Sequence, residues 1–142
     1  MRATLGDMRG AVLLALTALV LAACASGQAG TSTTTSLRIS FWEGGAGGEP
    51  DVVWTLRCNP AGGSLARPAR ACTRLAAGGA KLFAPFPPDT ACTEIYGGPQ
   101  RARIVGTVAG KRIWTTLTRT NGCEISRWAR VSPWLLPPGG IT

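Results

Sequence analysis

A chain of 142 residues, 45% hydrophobic and 15% charged, has room for one globular domain and not two. Fifteen Lys and Arg against seven Asp and Glu give a net charge of +8, of which only Arg2, Arg9 and Asp7 belong to the N-terminal leader described next. With no His at all, the chain lacks Ser-His and Cys-His hydrolysis, His-based zinc catalysis and an imidazole pH switch, which makes an enzyme the least favoured class.

Residues 1–23 join two arginines to an apolar run that begins at Ala11 and ends at Ala23. The run is shorter than the roughly 20 residues a bilayer span needs and fits the h-region of an export signal. Leu21-Ala22-Ala23-Cys24 looks like a bacterial lipobox, so Cys24 is expected to be acylated and to become the new N-terminus. The alternative is ordinary cleavage after Ala25, which would release the protein. Of five Cys, setting Cys24 aside leaves Cys58, Cys72, Cys92 and Cys123, an even set suited to two disulfides in an oxidising compartment. Three pairings are open on counting alone. A zinc site is disfavoured because no C-x₂-C spacing and no His accompany them, and no metal or cofactor is called for.

Residues 24–36 are a polar spacer without charge or large apolar side chains, unable to bury a core. Leu37, Ile39 and Phe41 then alternate with polar residues, and Val52, Trp54, Leu56 and Cys58 repeat the two-residue period, so two strands forming a hairpin are expected around the glycine-rich 44–50. Pro68 and Gly78-Gly79 bracket a helix carrying Cys72 and Leu75 on one face. The three prolines in 81–91 predict an irregular surface segment leading to Cys92. A second hairpin is expected from 101–108 and 111–119 about Ala109-Gly110, its inner face formed by Ala102, Ile104 and Val108 against Ile113, Thr115 and Leu117. Residues 123–131 place Ile125, Trp128 and Ala129 at helical spacing, ahead of Pro133. Trp54 and Trp128 suit the core, while Trp42 and Trp134 are expected to be partly exposed. The class is α+β: an antiparallel sheet with two short helices and two disulfides, over 37–136, followed by a tail at 137–142.

Five segments then share one pattern: Thr55-Leu56-Arg57-Cys58-Asn59-Pro60, Arg67-Pro68-Ala69-Arg70-Ala71-Cys72-Thr73-Arg74-Leu75, Cys92-Thr93-Glu94-Ile95-Tyr96, Gly110-Lys111-Arg112 and Asn121-Gly122-Cys123-Glu124. Their order and cysteine spacing resemble the Streptomyces subtilisin inhibitor family of serine protease inhibitors. The resemblance implies a sheet of about five strands, a homodimer, and disulfides joining Cys58 to Cys72 and Cys92 to Cys123. It also implies a protease-contact loop of Ala91, Cys92, Thr93 and Tyr96 around the reactive bond Glu94-Ile95, with Asn121 hydrogen-bonding the loop backbone from beneath. The sequence departs from the family pattern at Thr93, where Pro is common, and at Gly97-Gly98-Pro99. Each departure removes local stiffness from the loop.

Glu94 sets the expected target. An apolar or basic residue suits subtilisin or trypsin, whereas a carboxylate in an apolar pocket is desolvated without a partner at a cost of several kcal/mol. The expected partner is therefore an extracellular serine protease, with a glutamate-preferring enzyme as the specific case. The rival reading is a non-inhibitory envelope lipoprotein that uses the same scaffold to bind anionic polymers. Arg67, Arg70, Arg74, Arg101, Arg103, Lys111, Arg112, Arg119, Arg127 and Arg130 are scattered along the sequence, which predicts a solvated basic surface and no nucleic-acid site. Glu49 and Asp51 read as solvated carboxylates beside a turn.

Overall fold

A computed structural model describes residues 33–45 and 47–139. These lie within one compact unit of the chain, Thr31–Thr142; the leader, Cys24 and most of the spacer fall outside the described residues. Four strands, two α-helices and a short 3₁₀ helix follow in the order β1 (Ser36–Trp42), β2 (Val52–Arg57), α1 (Pro68–Gly78), η1 (Gly79–Phe83), β3 (Arg101–Val108), β4 (Lys111–Leu117) and α2 (Gly122–Val131). The strands form one antiparallel sheet in the order β2-β1-β3-β4. The α+β class holds with four strands among the described residues where about five were expected.

Period-two alternation positions the sheet. Leu37, Ile39 and Phe41 of β1, Leu56 of β2, Ala102, Ile104 and Val108 of β3, and Ile113 and Leu117 of β4 are all buried on one face. The register pairs Ala102 with Leu117 and Ile104 with Thr115, which sets them on the shared inner face that the alternation predicted. The β3–β4 turn sets Ala109 at φ 48° and Gly110 at φ 77°, the left-handed pair that a two-residue hairpin requires. Ala109 is an unfavourable residue for it, and the turn is held from outside. Its Ala109 N–H donates to Thr35 Oγ1 at 2.9 Å, and the Gly110 N–H to the Thr34 carbonyl at 3.0 Å. The end of the expected spacer, Thr34 to Ser36, is thus built into the domain.

Both helices lie on the buried side. α1 starts on Pro68 without a side-chain cap and contributes Ala71 and Leu75, and α2 contributes Trp128 and Val131. The segment expected to be irregular after Gly79 opens instead with η1, which buries Phe83. Trp134, expected at the surface, is 7% exposed and packs in the core with Leu135 and Leu136. Its indole N–H donates to the Arg130 carbonyl at 3.2 Å, which satisfies the polar end of a buried ring. The Pro137 carbonyl accepts from Trp128 Nε1 and Ser132 Oγ, so the tail begins as part of the fold.

Candidate functional site: a strap fastened at both ends

Both expected disulfides are present. Cys58–Cys72 ties β2 to α1 with Cα atoms 5.7 Å apart, and Cys92–Cys123 ties the irregular segment to α2 at 5.4 Å. Two backbone hydrogen bonds then define a short strap. The Gly122 N–H donates to the Thr93 carbonyl at 2.9 Å, and the Gly97 N–H donates to the Arg119 carbonyl at 2.7 Å. Between these anchors Glu94, Ile95 and Tyr96 are exposed, Ile95 and Tyr96 at 63% each. The N-terminal flank, Ala91 through Thr93, is exposed as well. Apolar side chains held in water on an irregular segment are the unusual feature, because burial would stabilise each by about 1.5–3 kcal/mol.

The anchors are rigid because of what lies under them. Gly97 is buried, and a Cβ there would lie 2.8 Å from Ile125 Cγ1 of α2 and 3.3 Å from the Arg119 carbonyl oxygen, so only glycine permits this approach. Arg119 is 5% exposed and donates to Gln100 Oε1 at 2.8 Å, and Gln100 Nε2 donates to Glu43 Oε1 at 2.9 Å. That chain joins the segment after β4 to the approach to β3 and the end of β1. On the other side Asn121 caps α2: its Oδ1 accepts from the Glu124 N–H at 2.9 Å. Glu124 pairs with Arg127 at 3.0 Å, and Arg127 reaches on to the Phe83 carbonyl and Thr115 Oγ1. The strap therefore rests on residues 119–123, a segment locked into sheet and helix together.

The model of the subtilisin inhibitor-like family matches residues 31–121, well over half of the chain. The chain belongs to that family. No curated protein matches it. Among solved structures, it is similar to Streptomyces caespitosus sermetstatin in its crystal structure in complex with Bacillus licheniformis subtilisin. The identity is 23% and the TM-score 0.49, covering 72% of this chain and 97% of that one.

Within this subtilisin inhibitor-like domain the sequence-predicted residues fall as follows. Ala91, Cys92, Thr93, Glu94, Ile95 and Tyr96 are contiguous and exposed, and Cys92 is bonded to Cys123. Asn121 adjoins the anchor at Gly122 and spends its side-chain oxygen on the α2 cap. The expected hydrogen bond to the loop backbone comes from its neighbour, the Gly122 N–H. Gly122 has to be small for this, since a Cβ would collide with Thr93 Oγ1. Arg119 and Arg127, counted in the sequence as solvated, are buried and structural. Arg119, Gln100 and Gly97 are the supports that sequence reading missed. Their only signal was a Gly-Gly-Pro-Gln run after Tyr96, which reads as a flexible turn until the partner segment is in view. Among the described residues no group of three His, Cys, Asp or Glu could hold a metal ion, and no helix is long and apolar enough to cross a membrane.

Proposed function

We propose that the domain inhibits an extracellular serine protease by presenting residues 93–96 as a substrate-like segment with Glu94-Ile95 as the reactive bond. The single observation that carries this reading is the pair of backbone anchors, at Thr93 and Gly97, around three exposed residues with a disulfide one residue upstream. An extended segment pairs with a protease cleft by backbone hydrogen bonds while one side chain fills the specificity pocket. A fastened segment has little ordering entropy left to lose on binding. Because Cys92 and Gly97 are held to the same short stretch of chain, cutting Glu94-Ile95 leaves the new ends adjacent, and religation competes with release. Glu94 is exposed and makes no hydrogen bond or ion pair among the described residues, so nothing has to be broken for it to enter a cationic pocket. That favours a glutamate-preferring protease over subtilisin itself.

The same proposal has the domain exported, with residues 1–23 as leader and Cys24 as the site of lipid attachment. Two disulfides support an oxidising compartment. The test is titration against subtilisin-like, trypsin-like and glutamate-specific proteases. Stoichiometric loss of the glutamate-specific activity, abolished in Glu94→Ala, is the expected result. Rapid and complete cleavage at 93–96 by every protease would overturn it.

A further inference from the structure

A cavity of about 350 Å³ opens at the free edge of β2. Its walls are Trp54, Leu65, Pro133, Trp134 and Leu136, and Arg67 stands exposed on its rim. Trp54 pairs with the buried Ile39 and so lies on the inner side of the sheet; the outer face contributes nothing to the cavity. Leu65, Trp134 and Leu136 belong to the core and are at most 9% exposed, so the opening reaches down to the packed interior. Protein interiors leave few voids larger than a water molecule, and a concave space of this size with apolar and aromatic walls has the dimensions of a ligand site. Trp54 packs against Phe41 with ring centroids 5.6 Å apart, yet the opening leaves it only half-buried. Trp42, Trp128 and Trp134 each donate an indole N–H to a backbone carbonyl. Trp54 is the one buried or half-buried indole without an acceptor among the described residues, although such rings ordinarily find one.

We propose that this cavity binds a small hydrophobic carboxylate, its apolar body against Trp54 and Trp134 and its carboxylate toward Arg67. The side-chain polar groups left free on the lining residues are the Trp54 indole N–H and the Arg67 guanidinium, both donors, and no Asp or Glu lines the site. A ligand that matches them carries an acceptor head on an apolar body. Arg67 makes no ion pair or side-chain hydrogen bond among the described residues, so pairing with an anion breaks nothing. It is also the N-cap of α1, which begins with no side-chain cap and no acidic residue in its first turn, and the helix dipole adds potential of the same sign at the rim. A plain hydrocarbon would leave both donors unanswered, and a wholly polar anion would leave the apolar walls in water. The cavity shares no residue with the strap or with its anchors at Arg119 and Gly122. The inference therefore stands apart from the inhibitor reading.

The test uses the full chain with octanoate and naphthylacetate, each set against its uncharged primary amide, so that the two arms distinguish an alkyl from an aryl body. Binding is read by calorimetry and by the indole N–H signals in nuclear magnetic resonance. Saturable binding is expected, with the Trp54 signal, assigned by its loss in Trp54→Phe, moving while those of Trp42 and Trp114 stay in place. The carboxylate should bind about fivefold or more tightly than its amide, and added salt should narrow the difference. Arg67→Gln, at an exposed position, should bring the carboxylate down to the level of the amide, whereas Arg67→Lys should keep part of the preference. Ala66→Phe, which sets a ring at the rim, should abolish binding of both. Thermal melting and protease titration, unchanged in the unliganded variants, separate loss of the ligand site from loss of fold or of inhibition. Equal binding of acid and amide, an acid preference that survives Arg67→Gln, saturable binding that leaves Trp54 unmoved, or no saturable binding at all would each overturn the proposal. So would a Trp54 signal that shifts on dilution of the protein alone, the mark of a second copy already seated in the cavity.

Discussion

The two disulfides are chemically alike and structurally opposite. Cys58–Cys72 joins a strand to a helix, both cysteines are partly buried against the core, and the chain between them closes through a β-bridge from Arg57 to Gly62 and a bond from the Leu65 N–H to the Thr55 carbonyl. Cys92–Cys123 joins a helix to a segment with no regular structure, and the chain beyond Cys92 stays in solvent until Gly97. One bridge reinforces packing that already exists. The other supplies the order that packing does not, so the segment it serves can keep apolar side chains exposed without wandering. The contrast separates what stabilises the domain from what would make it an inhibitor, and substitutions can drive the two apart.

The largest effect is expected at Glu94, where stability is not at stake. Glu94→Leu should leave the melting temperature unchanged while strengthening inhibition of subtilisin by about a thousandfold. An unpaired carboxylate costs several kcal/mol in an apolar pocket, and roughly 4 kcal/mol corresponds to that factor. Inhibition constants for the two chains check it; equal constants would show that the side chain at 94 does not enter the protease.

Removing the bridges sharpens the contrast directly. Cys58→Ala/Cys72→Ala and Cys92→Ala/Cys123→Ala open loops of about 15 and 32 residues that the disulfides close, and each should cost roughly 3–4 kcal/mol in denaturant unfolding. Only the second pair should convert the strap from a slowly cut segment into a good substrate, measured as the rate of cleavage at 94–95 under conditions where both variants are folded. Similar cleavage rates in the two variants would mean that the disulfide at Cys92 does nothing the hydrogen bonds do not.

A third substitution probes the other anchor. Gly97→Ala places a methyl group 2.8 Å from Ile125 Cγ1, and overpacking of this kind costs about 1–3 kcal/mol. The strain falls on the strap and the start of α2, so inhibition should weaken about tenfold or more while the sheet, followed by amide exchange of Ile39 and Ile104, keeps its protection.

Much of the fold was legible because period-two alternation is a strong local signal. Leu37, Ile39, Phe41 and Leu56 announced the first hairpin, and Ala102 to Leu117 the second, with the inner faces as expected. Trp134 was misplaced because its burial is decided by the chain folding back over α2, a tertiary event with no local pattern. The site divided in the same way. Cys92, Glu94 and Tyr96 were singled out by resemblance, since a contiguous motif survives in one dimension, and they lie together on the exposed strap. Arg119 and Gln100 were not, because each supports the strap through a partner far away in sequence, and a scattered arginine reads as solvated unless the fold shows it buried.

The smallest expected effect concerns Asn121, and it discriminates between two ways of supporting the strap. Its Oδ1 satisfies the Glu124 N–H at the start of α2, so Asn121→Ala should cost about 1 kcal/mol of stability, the usual value of a lost N-cap. Asn121→Asp or Asn121→Ser keeps an acceptor and should restore most of it. If Asn121 acts only through the cap, inhibition should follow stability: reduced in the Ala variant and recovered in both replacements. Were its amide instead to donate to the strap during complex formation, neither Asp nor Ser would recover inhibition even though both recover the melting temperature. The structure favours the first outcome, because the Gly122 N–H already donates to the Thr93 carbonyl, and the strap is held by the backbone of the helix start that Asn121 organises.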